Sequence, residues 1–311
     1  MTFRSGFVGV LGRPNAGKST LVNALVGQQV AIVSPRPQTT RNRIQGIVNR
    51  PDAQVVFIDT PGILRPDSAL NRQMMNEVTQ ALEGVDALVL IVDAGEEFGP
   101  GDRHALEVVR GFSGPAFLLL NKIDRVEKQM LLPLIARYSK GHTFAEILPV
   151  SALKGAGLDV LMEKLVAALP EGPPYFPPEQ FTDVPERFLA SEIVREKALH
   201  LTRQEVPHAL AVLVDSFEEG NKLVRIRATI YVERDGQKGI VVGKGGAMIK
   251  RIGTEARKEL ETMLGAKVFL ELHVKVQPNW RDNAAMVRQL DWRRQLEQLS
   301  DRLPEGGDRQ E

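Results

Sequence analysis

A chain of 311 residues, 43% of them hydrophobic, is long enough for two domains with their own cores. Acids and bases nearly cancel to a net charge of +1, so any nucleic-acid or membrane surface must be local rather than a property of the whole field. Cysteine is absent and the five histidines are scattered, which excludes disulfides, thiolate catalysis and a histidine or cysteine zinc centre. The cysteine count fits a reducing cytosol, the first residues carry no secretory pattern, and no apolar run reaches the length of a membrane span.

The first element is the apolar run Phe7-Val8-Gly9-Val10-Leu11, which reads as a buried parallel strand. It runs into Gly12-Arg13-Pro14-Asn15-Ala16-Gly17-Lys18-Ser19-Thr20, a match to G-x-x-x-x-G-K-[ST] at every required position. Leu21, Ala24 and Leu25 follow at helical spacing. Strand, glycine loop and helix together predict a phosphate cradle. Its backbone N–H groups and the helix N-terminus would face phosphate oxygens. Lys18 would reach the β- and γ-phosphates, and the Ser19 hydroxyl would hold magnesium.

Residues 28–43 lack apolar periodicity and contain Gln38-Thr39-Thr40-Arg41-Asn42, which reads as a mobile switch loop near the phosphates. A threonine hydroxyl here would complete the magnesium shell; Thr40 is the first choice and Thr39 the second. Ile44 to Val48 and Gln54 to Ile58 read as two strands, the second ending in Asp59-Thr60-Pro61-Gly62. Asp59, at the end of a buried strand, is placed to bind magnesium through water, and the Gly62 N–H to meet a γ-phosphate. Asp86 to Asp93 and Pro115 to Leu120 are further strands around a helical stretch at Ala105 to Val109. Asn121-Lys122-Ile123-Asp124 then suits guanine. The Asp124 carboxylate accepts from the ring N1–H and exocyclic amine, a pair that adenine lacks. Asn121 is expected to bond the base edge and the Lys122 stem to cover the ring. Ser151-Ala152 would offer backbone N–H groups to the base O6, before a helix over 158–169.

In this order, these segments resemble the motifs of Ras-like GTPases, which implies GTP binding and hydrolysis on a mostly parallel α/β sheet. Ile63 stands where Ras places a water-orienting glutamine, so the Ras type of catalytic site is not expected. In the bacterial GTPases that the chain resembles, a phosphate-loop asparagine helps to bind potassium. Asn15 is therefore either a potassium ligand or only a loop cap.

Pro170 to Pro178 holds five prolines and reads as a stiff linker. Domain bounds of 1–169, 170–182 for the linker, 183–300 and a flexible tail at 301–311 follow. Beyond the linker come a helix with Leu189, Ile193 and Leu199, a strand at Ala209 to Val214, and an alternating strand at Val224 to Val232. Gly243-Lys244-Gly245-Gly246, a helix from Met248 to Leu260, and a strand at Val268 to Val276 complete the pattern. This α+β order resembles a type II KH domain, in which a Gly-x-x-Gly loop faces an RNA backbone. Lys244, Lys250 and Arg251 would add charge for phosphate, or form a solvated helix face among nearby glutamates. Residues 283–299 read as one last helix, whose Arg288, Arg293 and Arg294 are more readily solvated charge than RNA contacts. Trp280 and Trp292 read as packing residues.

The Q-T-T-R switch, the proline-rich linker, Ser191-Glu192-Ile193-Val194-Arg195-Glu196-Lys197, Glu205-Val206-Pro207-His208 and Asn279-Trp280-Arg281 together resemble the Era family of bacterial ribosome-associated GTPases. The resemblance implies a monomeric cytoplasmic GTPase using Mg2+, binding 16S rRNA near its 3′ end through the KH domain. It further implies a role in maturation of the 30S subunit, with some peripheral association with the cell membrane. Two other readings compete: a passive RNA binder with a structural GTP site, and a tRNA-modifying GTPase. The intact Lys18, Ser19 and Asp59 weigh against the first. The second family uses a C-terminal cysteine, which this chain lacks.

Overall fold

The computed structural model describes residues 2–36, 38–63, 67–202 and 206–300. Contacts divide the chain into two units, the second beginning at Pro185 and also taking in Ser68–Leu70.

In the first unit the chain runs β1 (Arg4–Leu11), α1 (Lys18–Val26), β2 (Ile44–Asn49), β3 (Ala53–Asp59), α2 (Ala69–Leu82) and β4 (Ala87–Asp93). It continues through α3 (Pro100–Arg110), β5 (Ala116–Asn121), α4 (Leu131–Ser139), β6 (Glu146–Pro149) and α5 (Leu158–Ala168). Among the described residues, six strands form one sheet in the order β2-β3-β1-β4-β5-β6. Only β2 runs antiparallel, paired with β3. The near-continuous apolar runs of β1, β3, β4 and β5 are what a sheet covered on both faces requires, and Val8, Val10, Phe57, Leu88, Leu90 and Leu118 are fully or almost fully buried. Register decides the site. Val10 lies beside Asp59 and Asp93 beside Asn121, so the carboxyl ends of four strands line up along one edge.

The proline-rich segment is not a free connection. Residues 170–182 are bound along the first unit: Ser5 N donates to Pro170 O at 3.1 Å and Ser5 Oγ to Pro173 O at 2.6 Å. Gln54, fully buried, accepts from the N–H groups of Tyr175 and Phe176 at 2.7 and 3.0 Å and donates to Phe176 O at 2.8 Å. Ile47 N donates to Phe181 O, and Thr182 Oγ1 to Gln45 O at 2.8 Å, which ties the strap to the outer edge of β2. The reading of 170–182 as a bare linker is corrected: proline stiffness sets its extended shape, but its carbonyls are used by the sheet.

The second unit runs α6 (Glu186–Leu201), β7 (Ala211–Glu219), β8 (Leu223–Val232), α7 (Asp235–Val242), α8 (Ala247–Leu264) and β9 (Lys267–Val276). Strand β8 lies centrally, antiparallel to β7 and parallel to β9, with α7 and α8 making the crossover. A core of Val194, Ala198, Ile226, Ile230, Ile252, Ala256 and Leu260 lies between the sheet and the helices. Helix α6 is buried on most sides, and its charges are paired: Arg195 meets Glu192 at 2.5 Å, and Lys197 pairs with Glu196 and Glu259. The Ser191–Lys197 motif is therefore structural.

The last helix is two, α9 (Ala284–Gln289) and α10 (Trp292–Ser300), broken at Leu290 and Asp291. Asp291 caps the second piece through the Arg293 N–H at 3.1 Å. Trp280 is fully buried and donates to Ala209 O at 2.8 Å, and Trp292 is buried, as packing residues should be. The tail at 301–311, Glu205 and the Pro207 and His208 side chains fall outside the described residues, as do Pro37 and residues 64–66 of the segments flanking the phosphate loop.

Candidate functional site

At the carboxyl edge of the first sheet lies a cleft of about 490 Å³. Its floor is the phosphate loop, which only glycine can build here. Gly12 has φ +159°, and a Cβ on it would stand 2.3 Å from Ile91 O. Gly17 has φ +104°, with a Cβ 2.3 Å from Asn121 Nδ2. Lys18 bridges the loop, donating to Gly12 O at 3.1 Å and Arg13 O at 3.0 Å. Burial lowers its pKa to about 8, against the opposing pull of Asp59.

Three oxygens converge beside it. Ser19 Oγ lies 2.7 Å from both Thr40 Oγ1 and Asp59 Oδ2, and Thr40 Oγ1 lies 3.4 Å from the same carboxylate. Thr39 instead donates to Arg36 O at 2.6 Å, so the two threonines face different ways. Asp59 is fully buried, and its Oδ1 has no hydrogen-bond partner among the described residues. Burial pushes its pKa up to about 6, although Lys18, Ser19, Thr40 and Thr60 all pull it down. A buried carboxylate oxygen left over beside two hydroxyls is a hard-oxygen donor set that fits a magnesium ion. Thr60 contributes no such oxygen: its hydroxyl donates to Val10 O at 2.7 Å, clamping β3 to β1.

Gly62 closes the loop from the other side. A Cβ there would fall 2.8–2.9 Å from Pro14, including its backbone N, so no larger residue can sit against the phosphate loop. Ile63 is 6% exposed and packs in the core with Leu11, Leu88 and Leu90, so its side chain takes no part in the cleft. Asn15 adopts φ +64° and its Nδ2 donates to Pro35 O at 3.0 Å, joining the phosphate loop to the switch segment. In the rest of that segment, Gln38 Nε2 meets Asn71 Oδ1 at 3.0 Å, Arg43 N donates to Glu77, and Arg41 and Asn42 are buried. These contacts rest the switch segment on α2. Its partners Asn71 and Glu77 carried no sequence signal, since an amphipathic helix shows which face is polar but not what that face touches.

At the base end, Asn121 lines the cleft and also braces it: its Nδ2 donates to Ala16 O at 2.8 Å and its Oδ1 accepts from Ala152 N at 3.0 Å, which leaves a second Nδ2 hydrogen for a base edge. Both ends of the amide are used to staple the phosphate loop to the Ser151-Ala152 turn. In the phosphate loop, the Arg13 guanidinium pairs with Glu96 at 3.1 Å and Asp102 at 3.0 Å. Asp124 lines the cleft. Ser151 Oγ donates to it at 2.5 Å and holds its carboxyl below the usual range. Lys122, at φ +64°, is tied to Asp93 at 2.6 Å. Leu153, 65% exposed, also lines the cleft and supplies apolar surface that no motif marked.

In the second unit, Gly243, Gly245 and Gly246 all have positive φ, of 73°, 58° and 80°. A Cβ on Gly243 would clash with Met248 at 2.7 Å, whereas Gly245 and Gly246 face open space. The loop therefore presents bare backbone where α7 ends and α8 begins. Lys244 and Lys250 are exposed without an ion pair among the described residues, while Arg251 pairs with Glu255 at 3.0 Å and so belongs partly to a solvated helix face.

A Ras-like GTPase domain followed by a type II KH domain is the class that this fold and these two loops define. The chain matches the family described as 50S ribosome-binding GTPase over residues 7–122 and the KH domain family over residues 205–281. GTPase Era of Staphylococcus haemolyticus is 49% identical over 290 residues, covering 93% of this chain and 97% of that protein. Era crystallised with MgGDPNP and nucleotides 1506–1542 of 16S ribosomal RNA superposes with a TM-score of 0.90 at 42% identity, over 93% of this chain and 99% of that one. An Aquifex aeolicus Era variant bound to GDP.AlF4− matches with the same score, identity and coverage. The chain belongs to the Era family of GTPases.

Proposed function

We propose that this GTPase is a nucleotide-controlled RNA binder acting on the 3′ region of 16S rRNA during 30S subunit maturation. The observation that carries the switch is the convergence of Thr40, from the switch segment, on Ser19 and the orphaned Asp59 oxygen. Ser19 and Thr40 would ligate Mg2+ directly and Asp59 through water. The ion supplies charge neutralisation at the phosphates. Asp124 selects guanine, and the Lys122 stem and Leu153 cover the ring. With the γ-phosphate gone, the Thr40 contact loses its purpose and the switch segment is released. Asn15, already against Pro35, is placed to offer its carbonyl oxygen to K+, which would stabilise charge in place of the absent glutamine at Ile63.

The RNA reading rests on the Gly243–Gly246 loop, whose open side can pass a nucleic-acid backbone. It is supported by the complex of the related Era with 16S rRNA nucleotides. We place the protein in the cytoplasm as a monomer. No helix among the described residues is long and apolar enough to cross a membrane, so membrane association would be peripheral.

The test is RNA binding by the full chain at fixed salt, loaded with a non-hydrolysable GTP analogue or GDP, against the single-stranded 3′ tail of 16S rRNA. Binding at least tenfold tighter in the GTP form, and lost on Gly245→Asp, is expected. Equal affinity in both forms would remove the switch. Matched potassium and sodium buffers test Asn15: equal turnover removes the K+ site.

A further inference from the structure

We infer that the first unit carries its own RNA-backbone contact, in the cleft between α3 and α4, whose lining shares no residue with the nucleotide cleft. The inference rests on the protein being an RNA binder. The cleft has a volume of about 460 Å³ and is lined by Arg103, Arg110, Arg137 and Lys140, against a single acid, Glu107. In a chain of net charge +1, this is a strong local concentration. The acid is turned to His104, 3.4 Å away. None of the four cations pairs with a carboxylate among the described residues. Arg110 donates to Gly141 O at 2.8 Å, and the Arg137 guanidinium lies 4.7 Å from the Phe98 ring centre.

Favourable placement at helix C-termini accounts for Arg110 and Arg137, each in the last turn of its helix. It does not account for Arg103, in the first half of α3. The same geometry argues against a small free phosphate as the occupant. Compact phosphate sites use helix N-termini and backbone N–H groups, whereas this cleft meets the carboxyl ends of two helices. What it offers is long, solvated cationic side chains around an open floor, with one guanidinium over an aromatic ring. That is the chemistry of contact with a nucleic-acid backbone, where positioning charges need not enclose their partner.

The experiment compares the full chain with the variant Arg103→Glu plus Lys140→Glu. Both residues are exposed, and neither lies in the nucleotide cleft. The probes are a short single-stranded RNA matching the 3′ end of 16S rRNA and a longer RNA in which that tail is extended by a hairpin. The variant is expected to hydrolyse GTP at the unchanged rate and to bind the short RNA normally. It is expected to bind the longer RNA about tenfold more weakly, with a salt slope smaller by about 2, as loss of two phosphate contacts predicts. Arg103→Gln plus Lys140→Gln should give an intermediate loss. Unchanged affinity and slope on the longer RNA overturns the inference, including the case in which the cleft serves an acidic protein. If the unaltered chain does not bind the short RNA, the glycine-loop reading fails, while the longer RNA still decides this one.

Discussion

Asn121 shows how a motif residue can brace the cleft that it lines. Its amide holds Ala16 O and Ala152 N, so it fixes the distance between the phosphate and base ends of the cleft. Asn121→Ala leaves two buried partners unmatched, a cost of about 2–4 kcal/mol. Urea unfolding should register that loss, and nucleotide affinity should fall more than tenfold. A second prediction concerns Asp59. Its pKa is raised from 3.8 to about 6, chiefly by burial. The folded state thus holds the proton more tightly than the unfolded chain does, and the penalty of ionisation is absent below pH 4 and complete above about 6. The Asp59 contribution should make the nucleotide-free protein less stable as pH rises from 4 to 6. With Mg2+ and nucleotide the trend should reverse, because the ion takes the ionised carboxylate and binding weakens as pH falls through 6. Thermal melts across that range, with and without Mg2+–GDP, measure both slopes.

Among the elements, the strap at 170–182 joins the switch side of the sheet to the junction. Strand β2 follows the switch segment directly, and its outer edge is hydrogen-bonded to Phe181 and Thr182. Gln54 is the anchor, with bonds to both N–H and C=O groups of the strap and to Asn49 Oδ1 at 2.7 Å. Gln54→Ala should lower stability by about 2–4 kcal/mol and expose the strap to proteolysis near Tyr175, read on a gel after brief protease treatment. Protection equal to that of the unaltered chain would show that the prolines alone hold the segment. From sequence, Gln54 looks like one polar residue in a β-run, because strand patterns record which face is buried but not what a buried amide bonds to.

For the molecule as a whole, two separate cores predict two unfolding transitions. The Val8–Leu120 core belongs to the first unit and the Val194–Leu260 core to the second. In calorimetry, Mg2+ with a GTP analogue should raise one transition, and the short single-stranded 3′-tail RNA the other, each by mass action on the unit that binds it. One transition raised equally by either ligand would show instead that the units unfold as a single cooperative body.

While α2 and α4 went unread, the sequence by itself determined most of the strands, the phosphate loop, the guanine motif and the KH pattern. These are local: glycines at fixed spacing, strand runs and helical periodicity are written in consecutive residues. It did not determine the bracing bonds of Asn121, the Arg13 pairing with Asp102, the docking of the switch on Asn71 and Glu77, or the strap. Each depends on which groups distant in the chain meet. Thr39 and Thr40 make the point in two residues: adjacent and chemically alike, they were indistinguishable by spacing. Only the fold turned Thr40 towards Ser19 and Asp59 and left Thr39 on a carbonyl of its own loop.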